Sequence, residues 1–339
     1  MTESKMLIGI TMGDPAGIGA EVILKALAEI PPEGDVRYLI LGSRRVLERS
    51  LKLISPTNIS WASISREEIV KRKEHILLLD FDAQTGTDFK WGAESSASGK
   101  ASFTYIESAI RLAVESEISA LVTAPISKKA LELAGLTWPG HTEILATMTG
   151  AKRAVMMFVA GPLKVALVTV HIPFSQVPQV LTQEDVFATI QITARDLTRY
   201  FGLESPKLAL AALNPHASEA GRFGREEEKI LAPAVARAIA AGIDCAGPLP
   251  ADTLFHRLRN NEFHAAVALY HDQALIPVKL LAFESAVNIT LGLPIIRTSP
   301  AHGTAFDIAG RGVANPGSMK EAIKLAVEIA RRCPRPAPK

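Results

Sequence analysis

The chain is 339 residues long, enough for two domains of ordinary size, and 48% of it is hydrophobic, which excludes wholesale disorder. Its 37 basic and 35 acidic side chains leave a net charge of +2, so no excess of charge points to nucleic acid or a membrane surface. Two cysteines, Cys245 and Cys333, supply neither a disulfide framework nor a CxxC metal knuckle, as expected of a protein from a reducing compartment.

In chain order, short apolar runs predict strands over 6–11, 38–41, 76–79, 120–123, 155–159, 165–170, 208–213 and 265–270. Between them, helical periodicity predicts helices over 18–30, 101–116, 143–148, 183–201, 226–241 and 319–332. Ser318 reads as the N-cap of the last helix, with Glu321 completing a capping box, and 334–339 reads as a disordered tail. This alternation predicts an α/β protein with largely parallel sheets flanked by helices. The start of the chain lacks a secretory pattern, and no apolar run reaches the ~18–20 residues of a membrane span. The run nearest to that length, 154–170, is interrupted by Gly161, Pro162 and Lys164. A cytoplasmic protein with no membrane partner is therefore expected. The densest loop chemistry falls at 124–142 and 298–317. A chain crossing twice there would make 129–299 a domain inserted between 1–128 and 300–339.

Three of the eight histidines share a setting. His171 follows the apolar run 165–170, His216 follows 208–213 through Asn214 and Pro215, and His271 follows 265–270. Each therefore stands just past the carboxyl end of a strand, the edge where open parallel sheets bind ligands. The intervals suit strand–helix–strand crossovers, so one rim can receive all three. Neutral imidazoles in an incomplete shell suit a divalent metal and leave room for substrate. Asp272 and Asp252 lie beside this set as orienting groups or further ligands. By contrast, His75, His256 and His264 carry no motif and read as surface or structural residues.

The segment from Gly13 to Gly19 links the first strand to the first helix, where glycines let a ligand approach backbone and a helix start favours an anion. It is neither a Walker loop nor GxGxxG. Thr142 reads as an N-cap after Pro139, Gly140 and His141. The imidazole of His141 and the first-turn amides could hold an anionic group there. Lys279, Asn288 and Arg297 offer a point charge, an amide and a guanidinium fork, which together suit a phosphate monoester or a carboxylate. The loop His302, Gly303, Thr304 through Asp307 to Asn315 offers backbone donors, and the Asp307 carboxylate suits a ribose diol.

These strings, together with Thr123-Ala124-Pro125-Ile126-Ser127-Lys128, Pro250-Ala251-Asp252-Thr253 and Tyr270-His271-Asp272-Gln273, resemble the 4-hydroxythreonine-4-phosphate dehydrogenase family nearly end to end. The 13–19 and 302–315 segments also resemble the wider isocitrate and isopropylmalate dehydrogenase fold, which binds its dinucleotide without GxGxxG. The resemblance implies a two-domain fold of that type, with a cleft between a cofactor-side domain (1–128 and 300–339) and an inserted metal, substrate and dimerisation domain (129–299). It implies a homodimer with a shared active site, with His171, His216 and His271 as ligands of one zinc, cobalt or magnesium ion across two subunits. It implies substrate positions at His141, Thr142, Lys279, Asn288 and Arg297, and cofactor positions at Gly13, His302, Gly303, Thr304, Asp307 and Asn315. The cofactor would be NAD, because Asp307 would repel a 2′-phosphate.

The implied reaction is metal-dependent oxidation of 4-phosphooxy-L-threonine by NAD to a β-keto acid that decarboxylates to 3-amino-2-oxopropyl phosphate, in pyridoxal phosphate biosynthesis. Asp252, Asp272 and Lys279 are its candidate bases. Ala20, Ser218 and Ala274 depart from the family pattern without removing a ligand or a charge. A sister activity, oxidation of D-threonate or D-erythronate 4-phosphate, fits the same motifs. A metal-dependent phosphatase or a phosphosugar-binding protein is the reading from outside the dehydrogenases, and a dinucleotide loop argues against both.

Overall fold

Apolar strands alternating with helices build two units in the computed structural model, which describes residues 6–54, 58–69, 71–86 and 88–334. One unit comprises residues 1–152 and 293–339, and 153–292 forms the other. Residues 129–152 and 293–299, assigned from sequence to the inserted domain, thus fall in the first unit. Among the described residues the strands in chain order are β1 (Met6–Thr11), β2 (Val36–Gly42), β3 (Ala62–Ile64), β4 (Ile76–Asp80), β5 (Ala120–Thr123), β6 (Val155–Ala160), β7 (Leu163–Leu167), β8 (Leu208–Ala211), β9 (Cys245–Leu249), β10 (Ala265–Ala268), β11 (Val287–Leu291) and β12 (Arg297–Pro300).

In the first unit the strand order is β3-β4-β2-β1-β5-β12, and the paired strands are parallel. Strands β2, β5 and β12 are buried along their whole length, as expected of parallel strands covered on both faces. The sequence β12 reads Arg-Thr-Ser-Pro, too polar to be recognised as a strand. Its polarity is satisfied internally, with the Thr298 hydroxyl donating to the Ala322 carbonyl at 2.8 Å.

In the second unit the order is β11-β6-β7-β10-β8-β9. β7, β10, β8 and β9 run parallel, but β6 is antiparallel to both β7 and β11. The 155–159 and 165–170 runs are thus arms of a hairpin turning at Gly161 and Pro162, a mixed corner in the otherwise parallel sheet. Strand β9 contains Pro248 and lies at the sheet edge, where a missing amide hydrogen breaks no ladder.

Helix boundaries moved where caps differed from expectation. The final helix spans Gly317–Arg332, so Ser318 lies inside it rather than at its cap. The Asn315 carboxamide accepts the Gly317 amide instead (2.8 Å), and Ser318 Oγ accepts the Ala301 amide. Likewise the helix His141–Thr149 is capped by Gly140, with Thr142 in its first turn. The helix expected over 101–116 begins at Ser96, because Ser95 and Ser98 exchange side-chain and backbone bonds in a capping box. The helix expected over 226–241 divides into a π turn, Glu227–Leu231, and the helix Ala232–Ala240. The predicted disordered tail lies, beyond Pro334, outside the described residues.

Candidate active site

Strands β7, β10 and β8 are neighbours, so the segments after their carboxyl ends share one edge of the second unit. His171 and His271 meet there, with ring centroids 5.8 Å apart. They line a cavity of about 440 Å³ with Asp272, Phe174 and Tyr270, the last two packed edge to face at 5.2 Å. The Nδ1 of His271 lies 2.6 Å from Asp272 Oδ1. With Nδ1–H donating to the carboxylate, Nε2 carries the free lone pair, which is the tautomer a metal requires. His216, exposed on the next strand end, is not brought into a common coordination sphere with that pair. Among the described residues of this one chain, no three His, Cys, Asp or Glu side chains form a metal-holding group.

Buried amide bonds tie these strand ends together. β7 and β10 continue to pair beyond their ends, with Thr169 N–H donating to Leu269 O at 3.1 Å and the Thr169 hydroxyl reaching the same carbonyl at 2.6 Å. Gln273, nearly fully buried, accepts the Leu269 amide (2.7 Å) and donates to Ala212 O (2.8 Å), joining the β10 and β8 ends. In the sequence Gln273 stands out only as part of the Tyr270–Gln273 string, with no role of its own, because its partners Leu269 and Ala212 become visible only when the strand ends meet.

His216 begins a run of left-handed backbone. His216, Ala217, Ser218, Glu219 and Ala220 have φ of 53, 53, 64, 45 and 57°. For L-residues this conformation costs roughly 1–2 kcal/mol each, so the run is held by its surroundings rather than by local preference. Ser218 stands where the resembled family has glycine, and it adopts the glycine-like conformation regardless.

In the first unit, Arg297 of β12 is 2% exposed, and its Nε–H and Nη2–H both donate to Thr123 Oγ1 at 3.1 and 2.7 Å. Burial pushes its guanidinium down to about 9, which leaves it charged at neutral pH. His141, at the start of its helix, is held well below the usual imidazole range by burial and then by the charge of Arg297, so it is neutral. Its Nε2 has no hydrogen-bond partner among the described residues. A buried cation beside a neutral imidazole and a helix start is an arrangement that could hold an anion. Thr142 follows in the same helix turn. Asn288, on β11 of the second unit, also leaves its buried Oδ1 without a partner among the described residues, whereas Lys279 is solvent-exposed.

The segment 13–19 meets the 302–315 loop in the first unit through Gly17 and Ile18, while Gly13 packs on Ala124 and Pro125. Ile18 N–H donates to Thr304 O at 3.1 Å, and a Cβ at Gly17 would stand 2.9 Å from that oxygen, so only glycine permits the approach. Glu21 accepts the Ala314 amide at 2.7 Å, and Lys25 Nζ donates to the carbonyls of Gly312 and Ala314 at 2.9 Å each. This clamp, unseen in the sequence reading, fixes the loop from the first helix. His302 Nε2 is buried without a partner among the described residues, Gly303 and Asp307 are exposed, and the Asn315 carboxamide is engaged at the start of the final helix. Of the proposed bases, Asp252 is exposed in the first turn of the helix Ala251–Arg259, and Asp272 is engaged with His271.

Asp14 lies in the Gly13–Gly19 segment, where the sequence alone assigns it no role. It is fully buried, accepts the Ala16 amide at 2.9 Å, and burial pushes its carboxyl up to about 6. The folded state therefore holds the proton more tightly than the unfolded chain, whose aspartate titrates near 3.9. The resulting stabilisation is full below about pH 4 and is lost as pH rises through about 6, amounting to about 3 kcal/mol. Asp14→Asn keeps the acceptor for Ala16 and should flatten urea midpoints between pH 4 and 7 relative to the parent. Parallel curves for the two proteins would exclude Asp14 as the source.

The model of the family described as "Pyridoxal phosphate biosynthetic protein PdxA" matches residues 35–326. A 4-hydroxythreonine-4-phosphate dehydrogenase of Geobacter metallireducens is 47% identical over 339 residues, covering 98% of this chain and 97% of that protein. A protein of Bradyrhizobium diazoefficiens, provisionally named a D-threonate 4-phosphate dehydrogenase, is 44% identical and covers 95% and 96%. The crystal structure of 4-hydroxythreonine-4-phosphate dehydrogenase from Klebsiella pneumoniae superposes with a TM-score of 0.87 at 40% identity, covering 97% of this chain and 99% of that one.

Proposed function

The chain belongs to the pyridoxal phosphate biosynthetic protein PdxA family, and from that premise we propose that it oxidises 4-hydroxythreonine 4-phosphate for pyridoxal phosphate biosynthesis. It is an oxidoreductase of the dehydrogenase class. NAD, when bound, would supply the hydride acceptor for C3 of the substrate, with the C3 hydroxyl giving up its proton. The β-keto acid so formed loses carbon dioxide to give 3-amino-2-oxopropyl phosphate. The observation that carries this reading is the buried Arg297 guanidinium beside neutral His141, an anion site of the kind a phosphate monoester needs.

The donor set fits a divalent ion, because Asp272 fixes His271 in the ligating tautomer and His171 lies beside it. His171, His216 and His271 would hold that ion, with the set completed by a second copy of the chain. When bound, the ion supplies Lewis acidity to the reacting hydroxyl and to the developing enolate. Arg297 and His141 bind phosphate and Thr142 adds a helix-start donor, while Lys279 and Asn288 offer charge and amide to the same class of ligand. Asp272 is occupied in orienting His271, so proton removal falls to Asp252 or Lys279. Gly13 and the loop of His302, Gly303, Thr304, Asp307 and Asn315 carry the dinucleotide, with Asp307 accepting from the ribose diol and disfavouring a 2′-phosphate.

A homodimer is supported by the helix His271–Ala282. Ile276, Leu280 and the following Phe283, spaced four and three residues apart, are 66%, 88% and 76% exposed. Such a stripe marks a face for another protein surface. Leu280→Glu is expected to convert a dimer into monomers in sedimentation velocity and to lower activity with it. A parent chain sedimenting as a monomer at micromolar concentration would defeat this assignment.

The test of substrate is a panel. NADH formation from 4-hydroxythreonine 4-phosphate should exceed that from D-threonate and D-erythronate 4-phosphates by more than about tenfold in kcat/KM. The reverse order would transfer the protein to sugar-acid catabolism, and phosphate release without NADH would make it a phosphatase.

A further inference from the structure

We propose that Glu227 is a positioning residue that sets the backbone on which His216 stands, an inference that rests on the reading of His216 as a metal ligand. Glu227 is 4% exposed and belongs to the π turn Glu227–Leu231. Its Oε1 accepts the backbone amides of Leu213 at 2.9 Å and Asn214 at 2.7 Å. Its Oε2 accepts from Asn214 Nδ2 at 2.9 Å, and Glu226 Oε2 accepts from the same nitrogen at 2.8 Å. One carboxylate thus satisfies two consecutive main-chain donors, and both acids share a side-chain amide, immediately before Pro215 and His216.

The location explains why an acid is required. Pro215 has no amide hydrogen, so the chain cannot be anchored by main-chain donation at that residue. The next five residues are left-handed, and their internal closure lies further on, where the amides of Gly221 and Phe223 both donate to Ser218 O at 3.1 Å. The direction in which the run leaves β8 is therefore set at Leu213 and Asn214. Charge-assisted bonds from a buried carboxylate are stronger than neutral ones and define that direction. Gly224 keeps room for the arrangement. A Cβ there would lie 2.4 Å from Glu226 Oε2 and 2.6 Å from Asn214 Nδ2. π turns recur at functional sites, and this one brings Glu226 and Glu227 to Asn214 together.

The experiment measures zinc affinity of the full-length apoprotein by competition with a chromophoric chelator, with calorimetric Tm and NAD binding recorded alongside. Glu227→Gln retains an oxygen for the two backbone amides but sets an NH2 against Asn214 Nδ2. It is expected to weaken zinc binding about 10–100-fold, the range for partners outside the ligand sphere, while Tm and NAD affinity stay near the parent's. Asn214→Ala, which removes the bridge without touching the acid, should shift zinc affinity in the same direction and carries the test if Glu227→Gln does not fold. His216→Ala separates the two readings. If it loses zinc while Glu227→Gln and Asn214→Ala bind within twofold of the parent, the positioning role is overturned and the ligand stands. If His216→Ala binds zinc like the parent, both fall.

Discussion

His271→Ala is expected to lose the bound divalent ion and to lower kcat by on the order of a thousandfold. The size of the effect follows from the geometry. His271 is the imidazole whose tautomer is fixed by a carboxylate at 2.6 Å, and it faces His171 across a cavity that both line. Removing it would delete a proposed ligand and leave Asp272, 72% exposed at its side chain, without the imidazole it orients. Asp272→Asn should be milder, with metal affinity falling about 10–100-fold, because the ligand persists and only its orientation is lost. Elemental analysis of dialysed protein, paired with NADH formation before and after zinc, cobalt or magnesium, reads both variants. Full turnover in a rigorously metal-free preparation would remove the histidines from the chemistry.

The second large effect is expected at Arg297. Arg297→Met should raise KM for the phosphorylated substrate by about a hundredfold or more, from the roughly 2–5 kcal/mol that a desolvated charge pair contributes, and should leave KM for NAD unchanged. Its Tm should not fall. Replacing a buried charge by an apolar side chain of similar length is often neutral or stabilising, because the desolvation cost disappears. A structural arginine would behave oppositely, with Tm falling and KM unmoved, so the two measurements decide the role. His141 provides a further readout. Its imidazole is held down first by burial and then by Arg297, so its titration in an NMR spectrum should move up in the variant. An unmoved His141 resonance with an unchanged KM would leave Arg297 without a place in the anion site.

How much of this was legible in the sequence depended on the range of the interaction involved. β1, β5, β8 and β10 were readable because a strand buried on both faces must be apolar throughout. β12 is not, since its Arg297 and Thr298 side chains are satisfied by Thr123 and Ala322, distant in the chain. The caps expected at Thr142 and Ser318 differ for a similar reason: a suitable residue is present, but each helix starts upstream of it, after Gly140 and after Pro316, with the Asn315 carboxamide accepting the Gly317 amide. Periodicity does not report strand direction, so the antiparallel hairpin of β6 and β7 is legible in the sequence only as two apolar runs.

The sequence by itself determined the α/β class, the three histidines after apolar strands, the two glycine-bearing loops and the family, because each is written in residues adjacent along the chain. Only the tertiary structure decided that His171 faces His271, that Asp272 selects its tautomer, that Arg297 is buried beside a neutral His141, and that Glu227 and Gln273 tie down the strand ends. Desolvation and hydrogen-bond direction belong to the space around a group, and strands brought together from distant parts of the chain create that space.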